Sequence, residues 1–264
     1  MSAPAALAPA VYFVGAGPGD PELLALKAKR TIDRADVIVY ADSLVPPQIF
    51  ADARADAERV RTGSLTLEAI VPLMIDRVRA GLSVARVHSG DLTLYSAVHE
   101  QTRALAKAGV SYELIPGISA FQDAAAKLGV ELTVPELVQT IILTRPSGRA
   151  SAVPAAEELS SLAAHRASLA LYLAARHVET AQAQLLLHYP ADTPVAICYR
   201  LGWPDEKIRV TSLAHMAAVS QLEQFIRTTL YLISPALNGL TAARSHLYHP
   251  QHAHLFRPAA KTGS

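Results

Sequence analysis

The chain holds one cysteine in 264 residues, Cys198, and one tryptophan, Trp203. A single thiol excludes an internal disulfide framework and suits a reducing compartment. Neither sign of charge is in excess: 24 Lys and Arg stand against 23 Asp and Glu, a net charge of +1. A nucleic-acid surface needs a basic surplus to neutralise phosphates, so no nucleic-acid partner is expected. No window reaches the roughly 20 apolar residues of a membrane helix. The Ala/Pro-rich segment Met1–Ala10 has no basic n-region and no long apolar run, so it does not read as a signal peptide. These absences predict a soluble protein of the cytoplasm with no membrane partner. Serine nucleophile motifs of the G-x-S-x-G type are also missing. Hydrophobic residues make up 51% of the chain, enough for a substantial core.

The most informative stretch is Val11-Tyr12-Phe13-Val14-Gly15-Ala16-Gly17-Pro18-Gly19-Asp20-Pro21-Glu22-Leu23-Leu24. It reads as a buried strand, a glycine turn and a helix start, where α/β proteins place the adenosine part of a ligand. A dinucleotide fingerprint needs a small residue where this chain has Asp20. Asp20, Pro21 and Glu22 suit the Ncap, N1 and N2 positions of a helix, so two carboxylates stand where a pyrophosphate would sit. Pro18 has no N–H to offer a phosphate. A cationic or phosphate-free adenosyl ligand fits better, and a capped turn without a ligand is the alternative.

Short apolar runs at Val11–Val14, Val37–Tyr40, Val84–His88 and Tyr112–Ile115 alternate with helical stretches at Pro21–Ala35, Leu67–Ala80 and Ala97–Ala108. This βα alternation predicts a largely parallel sheet covered by helices. After Pro116-Gly117-Ile118-Ser119-Ala120, with Ser119 placed to cap a helix, the pattern restarts. Ile141–Thr144, Ser168–Leu173, Val195–Tyr199, Lys207–Thr211 and Thr229–Ser234 read as strands, and Val153–His165, His177–Leu187 and Leu213–Glu223 as helices. Two α/β domains are expected, 11–120 and 121–249, flanked by a disordered segment 1–10 and a flexible tail 250–264.

Three phrases in order, GAGPGDPELL, VHSGDLTLY and LIPGISAFQDAAAKLG, resemble the tetrapyrrole methylases. The resemblance runs from about Val11 to about Ala236. It implies a fold of two α/β domains with S-adenosylmethionine in the cleft between them and a trough for the tetrapyrrole in the first domain. VIVYADSLVP, SLTLEAIV, SAVHEQ and YRLGWPDEKI point to members that methylate C11 of precorrin-4 in cobalamin biosynthesis. The cofactor positions it implies are Pro18, Gly90, Asp91, Leu94, Tyr95, Ser119, Ala120, Leu173 and Leu201. On chemistry alone, Asp91 follows a strand at its carboxyl end, where its carboxylate would pair with an ammonium, a sulfonium or ribose hydroxyls, or would simply cap a turn. Leu173 reads equally well as core. The family usually has Pro after this Asp and Gly after the Tyr, where Leu92 and Ser96 stand here.

Asp42, after the second strand, is the candidate catalytic proton acceptor or else a turn residue; the resemblance leads one to expect Gly there. Arg54, Arg59, Arg61, Arg145 and Arg149 are candidates to meet the carboxylates of the macrocycle, with Arg61 preferred. His246, His249, His252 and His254 crowd the end of the chain, yet no metal site is expected, since neither thiolate nor carboxylate ligands accompany them. The resemblance implies a homodimer. The expected reaction is methyl transfer to C11 of precorrin-4 or its cobalt-bearing form. The alternatives are a methylase of another corrin carbon, C17 or C20, and a non-catalytic tetrapyrrole carrier. Asp20 argues against a nicotinamide oxidoreductase.

Overall fold

Parallel strands need crossovers, and the first half of the chain supplies a helix or loop between each pair of apolar runs. In the computed structural model, which describes residues 6–148, 152–239, 252, 253, 255 and 257, the chain forms two units. One comprises the described residues up to Asp123 together with Arg200–Lys207; the other comprises Ala124–Tyr199 and the described residues from Ile208 onward.

The first unit is built on β1 (Val11–Gly15), β2 (Val37–Tyr40), β3 (Glu58–Arg61), β4 (Val84–His88) and β5 (Tyr112–Ile115), all parallel in the order β3-β2-β4-β1-β5. Its helices are α1 (Leu26–Arg34), α2 (Leu67–Arg79) and α3 (Val98–Lys107). Residues alternate across the sheet, and each face has its own apolar cluster. Val14, Ala85 and Val87 pack with Ala28 and Ile32 of α1 on one side. Val11, Phe13, Val39 and Val84 pack with Ile70 and Met74 of α2 and Leu105 of α3 on the other.

The second unit begins within α4 (Ala120–Leu128) and holds β6 (Ile141–Thr144), α5 (Leu159–Ala163), β7 (Ser168–Leu171), α6 (Val178–Leu186), β8 (Pro194–Tyr199), β9 (Lys207–Ser212), α7 (Met216–Leu222) and β10 (Thr229–Ile233). Its sheet runs β6-β7-β10-β8-β9, with β10 antiparallel to both β7 and β8. Leu169, Leu171, Ile197, Tyr231 and Ile233 form its core with Leu159, Leu185 and Met216. The hydroxyls of Ser168 and Ser234 meet at 2.7 Å in the interior, and Ser168 also donates to the Leu132 carbonyl, so the buried hydroxyl of Ser168 is satisfied.

Several expectations are corrected. The predicted helix Pro21–Ala35 is broken: Pro21–Leu23 is a single 3₁₀ turn, Leu24 is extended, and α1 starts at Leu26. Leu24 leaves the helical path to pack against the α1-side core. The predicted strand Ser168–Leu173 stops at Leu171, because Leu173 takes a left-handed backbone with φ 56°. Ala10, placed in a disordered segment by composition, is buried, and its carbonyl accepts from Val84 N at 2.9 Å. Among the described residues no helix is long and apolar enough to cross a membrane.

Candidate functional site

In a parallel sheet every strand ends at the same edge, so the loops after β1, β4 and β5 gather where open α/β sheets bind ligands. Register fixes this: Gly15 lies beside His88, and Val14 beside Ile115. Ala16 N donates to the His88 carbonyl at 2.8 Å. Gly17 and Gly90 then exchange backbone hydrogen bonds of 3.1 and 2.7 Å. The three loops approach too closely for side chains. A Cβ on Gly117 would sit 2.4 Å from the Gly90 oxygen and 2.7 Å from the Gly15 carbonyl carbon. Gly90, at φ 66°, faces Ser119 and Ala120, whose backbone atoms lie 3.8 and 3.9 Å from where its Cβ would be.

Asp91 holds this junction. One carboxylate oxygen accepts from Gly117 N at 2.9 Å; the other accepts from Thr93 N at 2.8 Å and from the Thr93 hydroxyl. Burial opposes its ionisation, but these three donors outweigh burial and hold the carboxyl below the usual range. Asp91 therefore caps a turn and ties the β4 loop to the β5 loop. Ser119 starts α4 as the leading residue of a capping box, its N–H donating to Gln122 Oε1 at 2.9 Å. Leu94 is half-buried. Tyr95 is exposed, with φ 57°, and Ala97 follows at φ 51°, two left-handed residues flanking Ser96. Leu92, where the family has Pro, is buried in the core under α2 and α3.

The β1 loop has a second neighbour in the first unit, the turn from Arg200. Gln48 donates through Nε2 to the carbonyls of Gly19 and Gly202, at 3.3 Å each. Gly19 lies against Trp203 and the Leu201 carbonyl, which would be 2.8 and 2.9 Å from an added Cβ. Arg200 stacks its guanidinium 3.9 Å over the Trp203 ring and pairs with Asp205 at 2.6 Å. Asp20 accepts from Glu22 N at 2.9 Å, as a cap should, though of the 3₁₀ turn rather than of a long helix. With no long helix starting there, it is the carboxylates themselves that disfavour a phosphate. No Lys or Arg occurs in 16–20, 89–95 or 116–120. Closely packed backbone and two carboxylates, with no cation on these three loops, suit a positively charged adenosyl ligand better than a phosphorylated one.

Further along the same edge, Asp42 Oδ1 accepts from Gly63 N at 3.1 Å, and Oδ2 takes no hydrogen bond from the described residues. Arg61, the last residue of β3, is exposed and makes no ion pair with them. Beneath lies a group that the motifs did not flag. Arg86, 6% exposed on β4, donates through Nε to Gln101 Oε1 at 3.1 Å and through Nη1 to Thr62 Oγ1 at 3.1 Å and the Val39 carbonyl at 3.4 Å. Burial pushes its pKa down to about 10. His88, two residues on, is stacked at 6.0 Å on Phe13 with Nε2 buried and unpartnered; burial, then the charge of Arg86, lower its pKa to about 3.

The other candidates lie elsewhere. Arg54 belongs to the opposite edge: it pairs with Asp36 at 2.6 Å and Asp56 at 2.7 Å, and Asp36 and Ser83, bonded to each other, precede β2 and β4. Arg59 donates to the Phe50 carbonyl. Leu173 and Arg145 are in the second unit; Leu173 is 65% exposed, which overturns its reading as core, and Arg145 donates to the Pro146 carbonyl. Arg149, His246, His249 and His254 lie outside the described residues, and Arg257 donates to the His252 carbonyl. Sequence reasoning missed Gln48, Trp203, Arg86 and His88. The signal for the last two was the polar alternation in Val84-Ala85-Arg86-Val87-His88.

Known proteins resemble this chain over most of its length. The chain is 45% identical over 248 residues to a precorrin-4 C(11)-methyltransferase of Pseudomonas aeruginosa, covering 94% of this chain and 98% of that one. The structure of a cobalamin biosynthetic enzyme, cobalt precorrin-4 methyltransferase, superposes with a TM-score of 0.83 at 38% identity, over 87% of this chain and 96% of that one. A uroporphyrin-III C-methyltransferase from Thermus thermophilus complexed with S-adenyl homocysteine gives 0.72 at 26% identity, over 88% and 100%. Residues 10–217 match the Tetrapyrrole (Corrin/Porphyrin) Methylases. With its glycine-knit loops at the carboxyl ends of β1, β4 and β5, the chain belongs to that family.

Proposed function

We propose that the chain transfers the methyl group of S-adenosylmethionine to C11 of precorrin-4, or of its cobalt-bearing counterpart, in cobalamin biosynthesis. The observation that carries this reading is the likeness, at 45% identity over almost the full length of both chains, to an enzyme with that activity. The cofactor supplies an electrophilic methyl on a sulfonium, and the electron-rich macrocycle carbon is itself the nucleophile. The protein need only align carbon, methyl and sulfur and keep water out. In this reading Pro18, Gly90, Leu94, Tyr95, Ser119, Ala120 and Leu201 contact the cofactor. Asp91 keeps the β4 and β5 loops in register and presents its remaining lone pairs. Arg61 meets a substrate carboxylate, and Asp42 Oδ2 is the acceptor for a proton released at the macrocycle. The protein acts as a cytoplasmic homodimer, in keeping with the family resemblance.

The test is turnover of precorrin-4 with carbon-labelled S-adenosylmethionine, with the product mapped by mass spectrometry and NMR. One labelled methyl at C11 is expected. A methyl at C17 or C20 would overturn the regiochemistry while keeping the family's reaction. Binding of S-adenosylhomocysteine and tetrapyrrole without transfer would favour a carrier.

A further inference from the structure

Arg86 presents a problem that the proposed reaction does not use and the fold does not solve. Its guanidinium is buried, yet all three of its acceptors, Gln101 Oε1, Thr62 Oγ1 and the Val39 carbonyl, are neutral. No carboxylate of the described residues pairs with it, and Nη2 has no acceptor among them. Buried cations are costly unless paired. Beside it, His88 is 9% exposed and makes no hydrogen bond to the described residues. Arg86 and His88 alternate onto the same face of β4, and His88 ends that strand at the site edge. The Thr62 hydroxyl that anchors Arg86 lies between Arg61 and Gly63, the latter bonded to Asp42. The uncompensated charge thus lies directly under the turn assigned to the substrate.

We propose that Arg86 and His88 form the floor of a subsite for one carboxylate arm of the tetrapyrrole, with Arg86 Nη2 and a His88 ring N–H as its donors. This rests on the methyltransferase reading. Acetate and propionate arms carry two acceptor oxygens, and a guanidinium edge with an imidazole N–H beside it offers matching donors. The arm would supply the anion that the buried cation lacks and orient the ring over the edge. Nε and Nη1 of Arg86 are committed to the scaffold, so the residue is already fixed before the substrate arrives.

The test combines kinetics with a probe of His88. Arg86→Gln should raise KM for precorrin-4 at least tenfold. The Kd for S-adenosylhomocysteine, read from the fluorescence of Trp203, should stay within twofold, and Arg86→Lys should recover only part of the loss. In the wild-type enzyme, a stable octacarboxylate porphyrin should move the NMR signals of the His88 ring, and Arg86→Gln should abolish that response. An unchanged KM in a folded variant would overturn the proposal. So would equal weakening of both ligands, which would make Arg86 mere support for the loops. If Arg86→Gln does not fold, a wild-type His88 signal indifferent to bound porphyrin overturns it and a shifted one upholds it. Failure of the functional reading is seen separately, as no methylation of precorrin-4 by wild-type enzyme while the porphyrin still shifts His88.

Discussion

His88 makes the fold sensitive to acid. In the unfolded chain an ordinary imidazole takes up a proton near pH 6.5; in the fold it resists until about pH 3. Between those values the unfolded state binds more protons, so stability falls as pH falls, with a limiting slope of about 1.4 kcal/mol per pH unit from this residue. Urea unfolding at pH 7, 6 and 5 should show that loss, and His88→Phe, which keeps the stack on Phe13, should flatten it. Equal pH slopes for the two proteins would refute the assignment. Asp91 acts in the same direction but lower. Its carboxyl is held below the usual range, so its contribution is present above the unfolded carboxylate pKa and is lost as pH falls through the folded one. That window lies below pH 5 and does not enter this experiment. Neither residue's environment was legible in the sequence. The motif placed Asp91 at a strand end, but only the register of β4 against β1 and β5 brings Gly117 N to it. The burial of His88 beside Phe13 depends on the tertiary packing around the end of β4, which no local pattern announces.

At the scale of elements, the glycine junction is the feature most exposed to mutation. Gly117→Ala would drive a methyl into two backbone neighbours, Gly15 and Gly90, which cannot rotate away. Overpacking of this kind costs about 1–3 kcal/mol, and here it also pries apart the loops proposed to hold the cofactor. The expected outcome is a lower urea midpoint together with a weaker affinity for S-adenosylhomocysteine by calorimetry. Unchanged affinity would place the cofactor elsewhere. The strands of this unit could be read in advance because each is a compact apolar run with a turn signal after it: Val37–Tyr40 and Tyr112–Ile115 are found to the residue. Gly81 and Gly109, just past α2 and α3, take the left-handed backbone that lets a glycine end a helix. The start of α1 was misjudged because Asp20-Pro21-Glu22 is as good a cap for one 3₁₀ turn as for a full helix. The choice between the two is made by Leu24, which reaches the core only if the backbone turns extended there.

For the molecule as a whole, the two units have separate apolar cores that share no residue. Leu171, fully buried on β7, is a central member of the second. Leu171→Ala should cost about 2–5 kcal/mol, measured as a shift in the urea transition followed by circular dichroism. A cost below about 1 kcal/mol would contradict the packing assigned to that core. The division into two α/β units was visible in the restart of the strand pattern after Ile115. The return of Arg200–Lys207 to the first unit was not, since no local pattern announces which sheet a turn will join.

That return has a consequence for how the protein comes into being. A ribosome delivers all five parallel strands of the first unit by Ile115, long before it delivers Trp203. The nascent β1 loop therefore waits, its Gly19 without a wall and Gln48 without its second carbonyl, while β6, β7 and β8 are made. The wall around the β1 loop is thus completed late in synthesis, as a closing event rather than a property of the strands that emerge first.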